Sequence, residues 1–378
     1  MNTILEKIEG SIISEMMRLA IENDAMNLAE NNLEIFTPET LIRWAKEAIE
    51  GGLNGYTYSG GRKSLKSLIA GRIERETGAN FDPEKEILIT CGGSSGFAAA
   101  MYSLLESEKG VVIPEPFYES YLPVTKLSRG KPIFLSLNEP DYSFHYTDLQ
   151  KLPPFTVFIL NNPNNPTGKV FKEEEIKAIG EAILEKDAYL IVDERYKDIV
   201  YEDEYISPLK IPDLIDRTIL IGSFSVVLSI SGWRIGYVVA REPIMKEIMK
   251  VHYYNTICAP TPFQWACENF EFSTTYIKEL QNKYKEKRNL LCKALKKAGF
   301  VFEEPKGTYY IFADIGKIWD GTDWGFAKYL LKNKKIVVVP GSAFYFDKKK
   351  GKKKIRFSFA QSDTILKEAS NQLISGIT

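Results

Sequence analysis

Histidine is scarce in this sequence. His145 and His252 are the only two in 378 residues, and neither stands in a recognisable catalytic context, so a serine- or cysteine-based hydrolase has no evident general base. The four cysteines, Cys91, Cys258, Cys267 and Cys292, show no CxxC or Cys/His spacing, which leaves neither a disulfide framework nor a zinc site. Charge of one sign is missing too. With 49 basic and 50 acidic side chains, no long-range field favours nucleic acid or an anionic membrane as partner. No apolar run reaches membrane-spanning length, and the opening MNTILEKIEGSIISEMMRLA has acidic residues where a secretory h-region would be unbroken. A cytoplasmic protein is expected. The one dense basic run, DKKKGKKK at 347–354, reads as a solvated hairpin turn about Gly351, with a polyanion site as the alternative.

What is present is apolar sequence enough for a large core and two domains. Between about 45 and 270, helix-like segments alternate with short β-branched runs: EILIT, GVVIPE, PIFLSL, FTVFILNN, AYLIVDE, TILIGSF and RIGYVVA. That alternation predicts a wound α/β fold with a mostly parallel sheet of about seven strands, buried on both faces. After about 272 a long helix is predicted at TTYIKELQNKYKEKRNLLCKALKKAG, with Tyr276, Ile277, Leu280, Tyr284, Leu291 and Leu295 at helical spacing and Gly299 as its cap. GTYYIFADI, IVVVPG and KIRFSFA then read as strands of a smaller α+β domain. The expected division is an N-terminal arm with part of the small domain at 1–44, a large domain at 45–271 and a C-terminal small domain at 272–378.

Binding groups in wound sheets cluster where strands end. After EILIT comes CGGSSG, whose Gly93 and Ser94 would offer backbone N–H groups to an anion at a helix start; a purely structural turn explains the same letters. Asn165, in FILNNPNNPTG, presents an amide at another strand end. LIVDERY sets Asp193 and Tyr196 beyond a third, where a buried carboxylate needs a cationic or protonated partner such as a ring nitrogen. In GSFSVVLSISGWRIGY, Ser223 and Arg234 supply a hydroxyl and a guanidinium suited to phosphate.

In this order and spacing these groups resemble the class I/II aminotransferases, the fold type I enzymes of pyridoxal 5'-phosphate (PLP), over nearly the whole chain. The resemblance implies a phosphate site at Gly93, Ser94, Ser223 and Arg234, a phenolic-oxygen site at Asn165 and Tyr196, and a ring-nitrogen partner in Asp193. GYTYSGGRKSL resembles the stretch whose tyrosine, here Tyr56, reaches the phosphate of a neighbouring subunit, which implies a homodimer. IPEPFYESY sets Tyr118 where the family stacks an aromatic ring, and KIRFSFA sets Arg356 where it grips a substrate α-carboxylate. NLAENNLEIF is similar to the Ala-Glu-Asn loop of the aminocyclopropane-carboxylate synthase branch; Glu30 then faces substrate, or else is a solvated or capping residue.

One letter breaks the resemblance. The family carries its cofactor-bonding lysine in Ser-x-Ser-Lys, five residues, Gly-Trp-Arg, and here that position is Val226, with no lysine between Arg217 and Arg234. Valine can neither bond an aldehyde nor move a proton, and losing the acid–base role alone costs on the order of 10² to 10⁴ in rate. PLP, or its amine form pyridoxamine 5'-phosphate (PMP), is then expected to bind noncovalently. Three readings stay open: an aminotransferase site with its lysine replaced, a lysine-independent enzyme using a tyrosine, Glu30 or water, and a non-catalytic module binding PLP or an amino acid. The substrate expected is an amino acid or 2-oxo acid.

Overall fold

Seven of the apolar runs form one sheet. In the computed structural model, which describes residues 5–30 and 37–376, the strands are β1 (Met26–Asn27), β2 (Ile87–Cys91), β3 (Gly110–Glu115), β4 (Lys131–Ser136), β5 (Val157–Asn161), β6 (Tyr189–Asp193), β7 (Thr218–Ser223), β8 (Ile235–Val239), β9 (Tyr310–Asp314), β10 (Ile336–Val337), β11 (Val339–Pro340) and β12 (Lys354–Ser358). The sheet runs β2-β8-β7-β6-β5-β3-β4, with β8 antiparallel to both neighbours and the other pairs parallel. Alternation along each strand divides the core between the faces: Val157 and Ile159 join one buried cluster, Phe158 and Leu160 the other. Helices cover both, as strands buried on two sides require.

The reversed β8 starts at the edge where β2, β5, β6 and β7 end. Register makes this explicit, since Cys91 lies opposite Ile235, Ser223 opposite Gly236, and Asn161 opposite Asp193. Residues just past those ends are therefore neighbours across the sheet.

A three-stranded antiparallel sheet, β11-β12-β9, forms a second layer, and the parallel pair β1-β10 fastens the N-terminal segment to it. The long helix forms over Thr274–Lys297, with the Ser273 side chain accepting from the Tyr276 N–H at its start. It buries Leu280, Tyr284, Leu291 and Leu295, and Gly299 takes φ +87° just beyond its end.

The basic run departs from expectation. It is no hairpin: Lys348–Gly351 form a single helical turn capped by Asp347, and β12 begins at Lys354. Gly351 is buried against Gly341, where a Cβ would sit 2.4 Å from the Gly341 carbonyl oxygen. Nor is the run simply solvated. Lys350 pairs with Glu115, and Lys354 with Glu139 and Asp314.

Candidate functional site

The first corner of the site is built where β2 turns into the helix Gly92–Leu104. Gly92 has φ +73°, and a Cβ there would lie 2.3 Å from Nη2 of Arg234. Only glycine lets the guanidinium cross the start of this helix. Arg234 lies just before β8 and donates to the carbonyls of Ser231 (2.8 Å) and Cys91 (3.5 Å); among the described residues it has no ion pair. Gly93 is buried and Ser94 exposed in the first helical turn, and the Cys91 side chain at the N-cap gives that turn no capping hydrogen bond. Ser223 is half-buried and accepts from the Ser225 N–H, capping the one-turn helix Phe224–Val227. Val226 is buried within that turn, in the apolar cluster that also holds Tyr196 and Phe224. Within one chain Tyr56 does not close this corner: it is 81% exposed.

The second corner surrounds Asp193, which is fully buried. Its Oδ1 accepts from Nε of Arg195 at 2.9 Å and from the Arg195 backbone N–H at 3.3 Å. Its Oδ2 accepts from the Tyr121 hydroxyl at 2.8 Å and lies 2.8 Å from Nη2 of Arg195 in the ion pair. The Arg195 guanidinium lies 5.3 Å from the centre of the Tyr118 ring. Burial opposes the Arg195 charge, but the Asp193 carboxylate and nearby tyrosines outweigh it and raise its pKa well above the usual arginine value. Burial pushes the Tyr118 phenol up, partly opposed by Arg195.

The third corner joins three parts of the chain at Arg356, on β12 and fully buried. Nη1 donates to Oδ1 of Asn165 (2.9 Å), Nη2 to the Ala29 carbonyl (2.6 Å), and the guanidinium stacks 4.1 Å from the Tyr310 ring centre. Nε has no hydrogen bond, and among the described residues no carboxylate pairs with this buried cation. The Asn165 amide reaches the Tyr196 hydroxyl at 3.5 Å. Burial pushes that phenol up to about 12. Glu30 is half-buried beside this corner; after burial, its charge is among those raising the Tyr118, Tyr196 and Tyr310 phenols, so its carboxylate lies toward them. The rest of its loop, 31–36, lies outside the described residues.

Sequence reasoning passed over Arg195, Tyr121 and the Ala29 carbonyl. The signal for Arg195 was in LIVDERY: a carboxylate that must find a cation, with an arginine two residues on.

A family model described as aminotransferase class I and II matches residues 23–373. The chain belongs to the class I and II aminotransferases. It is 30% identical to an aspartate aminotransferase of Pyrococcus abyssi over 99% of this chain and 97% of that one. To an aromatic-amino-acid aminotransferase 2 of Thermococcus litoralis it is 31% identical, covering 98% and 96%. A solved Escherichia coli protein, whose reactivity identified a methionine aminotransferase function, superposes with TM-score 0.93 at 28% identity, covering 98% of each chain. The family is one of PLP-dependent transferases of fold type I, and no described helix is long and apolar enough to cross a membrane.

The residues present fit one end of that cofactor. A helix start without a side-chain cap, with Arg234 across it, suits a phosphate. At the other end, Asp193 and Tyr118 would have to receive a pyridine ring, and the carboxylate already accepts three hydrogen bonds and pairs with the Arg195 guanidinium at both oxygens, while Arg195 lies over Tyr118. The ring does not fit this arrangement.

Proposed function

We propose that this chain keeps a family-type site for the α-carboxylate of an amino acid or 2-oxo acid at Arg356, and that ordinary lysine-dependent transamination is lost. Val226 carries the second half of this reading. A valine buried among apolar side chains, where the family pattern sets its lysine, offers no nucleophile and no proton carrier. Arg356 carries the first half. A buried guanidinium with one unpartnered nitrogen and no carboxylate partner among the described residues is costly, and a carboxylate ligand would offset that cost.

A second reading, noncovalent PLP or PMP at the same site, draws support from the phosphate donors around Gly93 and Arg234 and requires the Arg195–Asp193 ion pair to open. In either reading the protein is proposed to be a homodimer, with Tyr56 serving the neighbouring subunit's site.

The test is calorimetry and thermal shift with a panel of amino acids and 2-oxo acids, beside a coupled transamination assay with PLP supplied. Binding that disappears in Arg356→Gln, without turnover, is the expected result. Turnover at ordinary enzymatic rates, on the order of 1 s⁻¹ or above, would remove the reading.

A further inference from the structure

Asp193 is a fully buried carboxylate at the end of a central strand, and such a group is stable only beside a cation. In this chain the cation comes from two residues further on. The Arg195 guanidinium, planar, charged and delocalised, lies over the Tyr118 ring at 5.3 Å and sets Nε and Nη2 against the two oxygens of Asp193. Those are the two contacts a protonated pyridine ring would make there: an aromatic face on one side and a charge-assisted N–H to the carboxylate. The guanidinium also reaches toward the glycine turn, its Nη2 lying 3.6 Å from where a Cβ on Gly93 would be.

We propose that Arg195 is a built-in replacement for the pyridine ring, so that this chain takes no pyridoxal cofactor and its site serves a simple carboxylate anion. A ring entering between Tyr118 and Asp193 would have to expel the guanidinium from a buried two-point ion pair. If both cations stayed, two positive charges would share one carboxylate that already accepts three hydrogen bonds and pairs with a guanidinium. Either way the entering ring gains less from Asp193 than the guanidinium loses.

This goes beyond the proposed loss of transamination, because a cofactor could be excluded or retained with Val226 in place. The test is direct titration of the 378-residue chain with PLP and with PMP, followed by calorimetry and by the cofactor's absorbance. The wild type is compared with Arg195→Ala, and with Arg195→Gln, which keeps a neutral donor to Asp193 should the alanine variant fail to fold. Inorganic phosphate serves as a probe of the Gly93–Arg234 corner alone. The expected result is PLP binding at least about 100-fold weaker in wild type than in a folded Arg195 variant, with phosphate binding little changed. Micromolar or tighter PLP binding by the wild type overturns the proposal, as do folded variants that bind PLP no better than it does. Wild type that binds PLP but transfers no amino group would sink the Arg195 assignment and leave the loss of transamination standing; turnover would sink that loss as well.

Discussion

Arg195 closes back on Asp193 within a single turn of chain, Nε to Oδ1 at 2.9 Å and Nη2 to Oδ2 at 2.8 Å. On the readings proposed above, the ion pair and Val226 are two separate departures from a pyridoxal site, one in the ring position and one in the covalent anchor. Restoring one should not suffice. Val226→Lys alone is expected to give no borohydride-stable bond to PLP, whereas Val226→Lys with Arg195→Ala is expected to give one, read by intact mass after reduction. Orientation at the phosphate corner would then hold the aldehyde against the new amine. A stable bond in the single variant would show that Arg195 is no barrier.

Arg356→Met should separate ligand binding from folding. The guanidinium gives two hydrogen bonds and two aromatic faces, yet it is a buried charge without a counter-ion among the described residues. Methionine leaves Asn165 Oδ1 and the Ala29 carbonyl without that donor, a cost of about 1–3 kcal/mol each that removal of the buried charge offsets in part, so the ligand-free stability from urea denaturation should fall by a few kcal/mol at most while the fold persists. Stabilisation by amino acids or 2-oxo acids should vanish in the same variant.

Gly92→Ala should be costly. The alanine would have to hold φ +73° with its methyl 2.3 Å from Arg234, so the guanidinium must move. Left-handed backbone alone costs about 1–2 kcal/mol. The variant is expected to lose at least that in chemical denaturation, and its affinity for inorganic phosphate should fall, as it should in Arg234→Ala.

His252 sets a pH dependence. It is buried on the helix Glu242–Thr256, neither ring nitrogen has a hydrogen bond among the described residues, and burial lowers its pKa to about 4. Below the unfolded value near 6.5 the unfolded chain binds a proton that the folded chain refuses. The contribution is therefore intact above about pH 6.5 and is lost as pH falls toward 4, on the order of 3 kcal/mol in all. His252→Leu should flatten the urea midpoint across that window.

Tyr56, Tyr58 and Tyr254 are 81%, 70% and 85% exposed, and large aromatic surface of this kind commonly marks an interface. Sedimentation at micromolar protein is expected to give a dimer. A monomer would remove the proposed role of Tyr56.

The sheet was legible because strands buried on both faces must be unbroken apolar runs, and all seven runs became its strands. The hairpin expectation failed at 347–354 because charge density said nothing of partners: Glu115, Glu139 and Asp314 come from distant strands and turns. Sequence order brought Asp193, Ser223 and Arg234 to notice one by one, since the first two end strands and the third stands just before one. What it could not give was the partner each would choose. Whether Asp193 meets a ligand or its own neighbour depends on how the chain turns after β6, and that turn aims Arg195 inward.

The bonds of Arg356 run to Ala29 near the chain start, to Asn165 after β5, and through its own strand to the three-stranded sheet. The guanidinium is thus a knot tying the opening segment and two sheets together. An anion drawing its Nη atoms away would loosen the ties to Ala29 and Asn165 in a single event.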